Sequence, residues 1–205
     1  MRSMIDTVLE AWRVTVIAVA ASPSDFLGRD KEKKVFRRFR SEIERKNPSF
    51  SLSGPDFQTK FGCWSIDLVC SAGSSRIAIE GKFKTIRDGA VPDNRKAAFF
   101  DLFKLEQYVA SGDYKAGLFL WLTDEPAYRS QASGDSADFS THEGRTYSGG
   151  TLLSATRARN KMPLSLELKG NYSFMWVPIS NGSSWYSLVL LIQPYSDIQP
   201  VSASR

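Results

Sequence analysis

Three residues in the stretch SIDLVCSAGSSRIAIEGKFK (65–84) have types and spacing that could do chemistry: Asp67, Glu80 and Lys82. The small residues SAGSS at 71–75 read as a turn between two strands. A hairpin centred between Gly73 and Ser74 sets Asp67 opposite Glu80, with Cβ atoms about 5 Å apart. Lys82, two residues beyond Glu80, shares that face. Opposed carboxylates repel, so the pair calls for a compensating cation. Oxygen-only ligation suits Mg²⁺ or Mn²⁺. The opposite face, Ile66, Leu68 and Cys70 across from Gly81, Ile79 and Ile77, is expected to be core.

The surrounding elements must hold this hairpin. Residues 4–20 read as a helix with Ile5, Val8, Leu9, Trp12 and Val16 on one stripe. A second helix, from Ser24 or Asp25 to Lys46, carries Val35, Phe36, Phe39 and Ile43 and stops at Asn47-Pro48. SGPD (53–56) is a turn, and 60–70 and 76–84 are the hairpin strands. Asn94 reads as the cap of a helix with Phe99, Leu102, Phe103, Leu105 and Tyr108 as a broad apolar face. AGLFLWLT (116–123) is a continuous apolar run, as in a central strand. Residues 124–150 are polar and long for a connector, so they read as a functional loop or an insertion. Strands at 172–180 and 185–194 follow, joined by an Asn-Gly turn. The expected architecture is α/β (α+β), a mixed sheet flanked by helices. An N-terminal helix occupies 1–24, the main domain 25–195 and a tail 196–205.

Asp67 followed by Glu80-Gly81-Lys82 resembles the signature of the PD-(D/E)XK nuclease superfamily, with its restriction-endonuclease-like fold. In that superfamily a helix precedes an antiparallel strand pair bearing Asp and (D/E)-x-K, and a helix and another strand follow. The element order from residue 25 to 123 is similar. The resemblance implies a small bacterial nuclease in which Asp67 and Glu80 hold Mg²⁺ or Mn²⁺ and Lys82 positions the attacking water. It also implies a glutamate on the preceding helix, where Glu32 fits better than Glu42 or Glu44. The residue before Asp67 is Ile66, not Pro; a literal Pro55-Asp56 lies upstream in a turn without hairpin symmetry to Glu80. Residues 124–205 add nothing to the resemblance.

The partner is read from charge. Among 205 residues, 27 Lys and Arg against 22 acids leave a net charge of +5, which favours a polyanion. The excess concentrates in 28–46, with further basic residues Arg87, Arg95 and Lys96 around the loop after the hairpin and a patch at 156–161. Arg87, Arg95 and Lys96, next in sequence to the acids, are the expected contacts to nucleic-acid phosphates, DNA first. Cys63 and Cys70 lie an odd number of residues apart on a strand, so they face opposite sides and do not pair; free thiols fit a reducing cytoplasm. One histidine, His142, excludes the usual zinc layouts. Asp6, Glu10 and Arg13 favour a packed helix over a signal peptide at the N-terminus, and no apolar run is long enough to span a membrane. Trp121, Trp176 and Trp185 are expected in the core. Two other readings compete: a nucleic-acid-binding module of the same fold without catalysis, and an interaction protein forming a homodimer through its final apolar hairpin.

Overall fold

A computed structural model describes residues 1–54, 57–58, 64–155 and 165–194. Pro55, Asp56, Cys63, the basic patch at 156–161 and the tail at 196–205 lie outside the described residues. Helix α1 (Arg2–Ala21) buries Met4, Ile5, Val8, Trp12, Val16 and Val19 at the spacing of one helix face. That face packs on α2 (Lys31–Lys46), whose Val35, Phe39 and Ile43 complete the layer. The turn Pro23–Phe26 is a separate 3-10 segment, so α2 begins later than its capping residues suggest. Glu32 in its first turn and Arg45 and Lys46 in its last complement the helix dipole.

In chain order the first strands are β1 (Ser51–Ser53), β2 (Phe57–Gln58), β3 (Ser65–Ile66), β4 (Leu68–Ala72), β5 (Ser75–Lys84) and β6 (Ala116–Thr123). The later ones are β7 (Arg145–Tyr147), β8 (Leu152–Ser154), β9 (Ser165–Glu167), β10 (Tyr172–Phe174), β11 (Val177–Pro178) and β12 (Tyr186–Ile192). Six of them form one mixed sheet in the order β1-β4-β5-β6-β12-β11, and the rest pair two by two. The β4–β5 register is the expected one, Leu68 opposite Ile79 and Cys70 opposite Ile77. Strands β5 and β6 run parallel, joined by α3 (Val91–Ala110).

Both faces of the sheet are covered. Leu68, Cys70, Ile77, Ile79, Leu118 and Leu120 face α1 and α2, whereas Val69, Ala78, Phe119, Trp121, Leu188 and Leu190 share a second core with α3. Ile66 belongs to this second core, not to the face of Leu68 and Cys70 as expected. The cause is a bend at Asp67 that interrupts the strand between β3 and β4 and shifts the alternation by one.

Other boundaries also differ from the sequence reading. Helix α3 starts at Val91 after Ala90, which adopts a left-handed conformation with φ 49°. Asn94 is therefore inside the first turn, where its Nδ2 donates to Gly89 O and to Tyr128 Oη. The 124–150 stretch contains two 3-10 segments and β7, and it buries Tyr128, Phe139 and Tyr147. Its polar groups tie it down from within and without: Thr141 Oγ1 donates to Tyr128 O at 2.6 Å, and Thr141 O accepts from Trp176 Nε1 at 2.8 Å. Strand β12 pairs with β6 over seven positions and with β11 over only two, so the final apolar segment is an inner strand rather than a projecting hairpin. No helix among the described residues is long and apolar enough to cross a membrane.

Candidate active site

Alternation along β5 sends Ile77, Ile79 and Phe83 toward α2, and Ala78 toward α3. Glu80 shares the parity of Ala78, and its Oε1 accepts from Lys104 Nζ of α3 at 2.8 Å. The same ammonium lies 2.8 Å from Asp101 Oδ1, one turn earlier on α3. Lys82 pairs with the other Asp101 oxygen, Oδ2. Asp67 completes the group: its Oδ2 accepts from Gly81 N at 2.9 Å, beside Glu80, and it lies close enough to Lys82 and Asp101 to feel their charges. The three expected residues are therefore brought together, and Asp101 and Lys104 join them.

Two glycines allow the close approaches around the cluster, one at Asp67 and one at Phe36. A Cβ on Gly54, which follows β1 with φ 138°, would lie 2.5 Å from the Asp67 carbonyl oxygen. A Cβ on Gly81 would lie 2.5 Å from the ring of Phe36 on α2. The bend at Asp67 and the close approach of α2 both depend on these positions having no side chain.

Burial decides the electrostatics, because Glu80 is 2% exposed and Asp101 5%. Burial raises the Asp67 carboxyl above its ordinary range, partly offset by the nearby Lys82. It raises Glu80 further, and the neighbouring Asp67 and Asp101 add to the effect. Burial would raise Asp101 too, but the Lys82 and Lys104 ammoniums outweigh it and hold that carboxyl low. Burial alone would lower both lysines; Asp101 chiefly, with Asp67 at Lys82 and Glu80 at Lys104, keeps them charged. Two ammoniums face three acids, so the cluster holds one acid more than its lysines can balance, which is why burial and mutual repulsion raise Asp67 and Glu80.

An acid pair short of one cation is where a divalent ion would fit. Two neighbouring carboxylates suit a hard divalent ion that keeps most of its waters and takes one or two protein carboxylates. No group of three or more metal-ligating side chains is close enough to form a complete cage among the described residues. Asp67 and Glu80 are thus the residues that would hold Mg²⁺ or Mn²⁺.

Asp67 also lines a cleft of about 530 Å³ between α2 and the strands, together with Gly81, Phe36 and Glu32. Glu32 is half-exposed at its rim, where Lys84 Nζ donates to its Oε1 at 2.8 Å. Glu42 is buried instead, held between Arg38 and Arg45.

Two of the expected phosphate contacts require correction. Arg95 is 4% exposed and donates to Ala127 O and Ser130 O, and Lys96 is 2% exposed and paired with Asp135. Both tie α3 to the 124–150 segment, so neither side chain is presented to a phosphate in this fold. Arg87 remains exposed in the loop after β5. His142 Nδ1 bonds Ser140 Oγ at 2.8 Å, away from the acids, and Trp121, Trp176 and Trp185 are buried. Cys70 is a buried free thiol. The signal missed for Asp101 and Lys104 was available: α3 is apolar on so much of its circumference that charges within it must face inward.

Compared with known proteins, the chain matches no family model, no curated protein and no solved structure.

Proposed function

We propose that the chain is a metal-dependent nuclease of the PD-(D/E)XK kind, hydrolysing phosphodiester bonds of nucleic acid. The observation that carries the reading is the convergence of Asp67, Glu80 and Lys82 in one buried cluster, tied together by Gly81 N, Lys104 and Asp101. Its setting supports the same reading: a helix, an antiparallel strand pair, a connecting helix and a strand parallel to the second, as in the restriction-endonuclease-like core. Asp67 and Glu80 would hold Mg²⁺ or Mn²⁺, which would supply Lewis-acid polarisation of the phosphate and of a water.

The chain's own groups divide the remaining work. Lys82, kept charged by Asp101 and Asp67, cannot serve as a base; it donates to the water or to the phosphate oxygen on which charge builds. Asp101 positions Lys82 and Lys104. Glu32, across the cleft from the cluster and paired with Lys84, is the acid placed to orient water from the substrate side. In hydrolysis the water oxygen bonds phosphorus, one ester P–O bond breaks, and the water's proton ends on the departing hydroxyl. The products are a phosphate monoester end and an alcohol end.

A second reading has its own observation. Lys82 and Lys104 already neutralise most of the acidic charge, as in a structural network of a non-catalytic binding module. Titration calorimetry with Mn²⁺ separates the two. The nuclease reading expects binding by the wild type and a loss of at least about tenfold in affinity in Asp67→Asn and Glu80→Gln. Absence of any binding by the wild type favours the structural network.

A further inference from the structure

We infer that the cleft on α2 takes a single polynucleotide strand, its phosphates along Lys33, Arg37 and Arg40 and one nucleotide unit beside Phe36. The inference rests on the hydrolytic reading and names its substrate class.

Access comes first. Glu80 and Asp101 are almost fully covered, and Asp67 is the member of the cluster that also lines the cleft. A phosphodiester therefore reaches the acids by entering there. At about 530 Å³ the cleft has the size of a site for one small ligand. In a duplex the bases are paired and stacked inside the helix, so a base meets Phe36 in this cleft only when its strand is single or locally opened.

The chemistry of the wall agrees. Lys33, Arg37 and Arg40 follow at intervals of four and three residues and so share one face of α2. Arg37 makes no ion pair among the described residues, and Lys33 has only a 3.9 Å contact to exposed Asp30. Arg40 gives one N–H to Leu52 O at 3.3 Å and keeps its other donors. Of the acids on the same wall, Glu32 is neutralised by Lys84, and Glu44 lies beyond Arg40, at the end of the cationic track. Between the cations, Phe36 offers an aromatic surface, the sequence-tolerant partner of an unstacked base.

Fluorescence anisotropy in chelator tests this with labelled DNA and RNA oligonucleotides, each as a single strand and as a duplex of the same sequence. Single strands should bind at least about tenfold more tightly, with a log–log salt slope of about −0.7 per phosphate neutralised. Phe36→Leu, which keeps apolar bulk but removes the ring, should weaken single-strand binding by about 5- to 150-fold and leave duplex binding unchanged. Replacing Arg37 and Arg40 with Ala should make the slope shallower by about 1.4. Equal or tighter duplex binding, or wild-type behaviour of both variants, overturns the inference. Hydrolysis with Mn²⁺ is scored separately. If hydrolysis depends on Glu80 while strand preference is absent, the cleft inference alone fails. If single strands bind as expected but nothing is hydrolysed, the hydrolytic reading fails and the strand site stands.

Discussion

Lys104 Nζ and Glu80 Oε1 form a buried ion pair at 2.8 Å, and the same ammonium lies 2.8 Å from Asp101 Oδ1. A tethered cation thus bridges two acids of the cluster. Lys104→Met should leave Glu80 without its cation and Asp101 with Lys82 alone, and cost about 3–5 kcal/mol in urea unfolding. Divalent metal should then stabilise the variant more than the wild type, because the added charge replaces what was removed. An equal thermal shift on adding Mn²⁺ to both proteins would show that Lys104 does not share the cation's place.

Lys82 is predicted to act after binding. Lys82→Met should reduce kcat by about 10²–10³-fold, the scale for a lost transition-state donor, and change KM little. A rise in KM at constant kcat would make Lys82 a ground-state phosphate contact instead.

Gly81→Ala should destabilise the fold by about 1–3 kcal/mol, since its Cβ would lie 2.5 Å from the Phe36 ring. Adding Phe36→Leu should recover part of that loss in chemical denaturation. Strict additivity of the two changes would mean that the contact is relieved elsewhere.

Alkaline stability follows from two groups away from the cluster. Burial pushes the Cys70 thiol up to about 12 and the Tyr128 hydroxyl up to about 12, against ordinary values of about 8.5 and 10. In that interval the unfolded chain has lost protons that the folded chain keeps, so stability must fall as pH rises from about 8.5 to 12. Denaturation midpoints across this range should decline, and Cys70→Ala should flatten the lower part of the decline. Cys70 should also resist alkylation at pH 8 until the protein is unfolded.

Local signals carried much of the architecture. The apolar run at 116–123 is β6 to the residue, and the small residues at 71–75 set the β4–β5 register that opposes Leu68 to Ile79. What escaped was tertiary. The bend at Asp67 depends on Gly54 pressing against its carbonyl from a different strand, which no local pattern announces. Arg95 and Lys96 look like surface cations because sequence does not reveal that the 124–150 segment folds over α3 and supplies Ala127 O, Ser130 O and Asp135. Glu80 and Lys82 were legible because the hairpin fixes its own register, whereas Asp67 lies in the bend just beyond the last pair, Leu68 opposite Ile79, rather than in the ladder opposite Glu80. For Asp101 and Lys104 the broad apolar surface of α3 signals burial, but their partners were not legible because they come from another element.

The central claim, that Asp67 and Glu80 with a divalent ion cut nucleic acid, is tested most directly by cleavage of mixed single- and double-stranded DNA and RNA. Wild type and Glu80→Gln are compared in Mg²⁺, Mn²⁺ and chelator. The prediction is hydrolysis by the wild type with Mg²⁺ or Mn²⁺, abolished by chelator and by Glu80→Gln in a protein whose circular dichroism is unchanged. Wild-type protein that cuts none of the substrates with either ion, or a Glu80→Gln variant that cuts as well as the wild type, would contradict it.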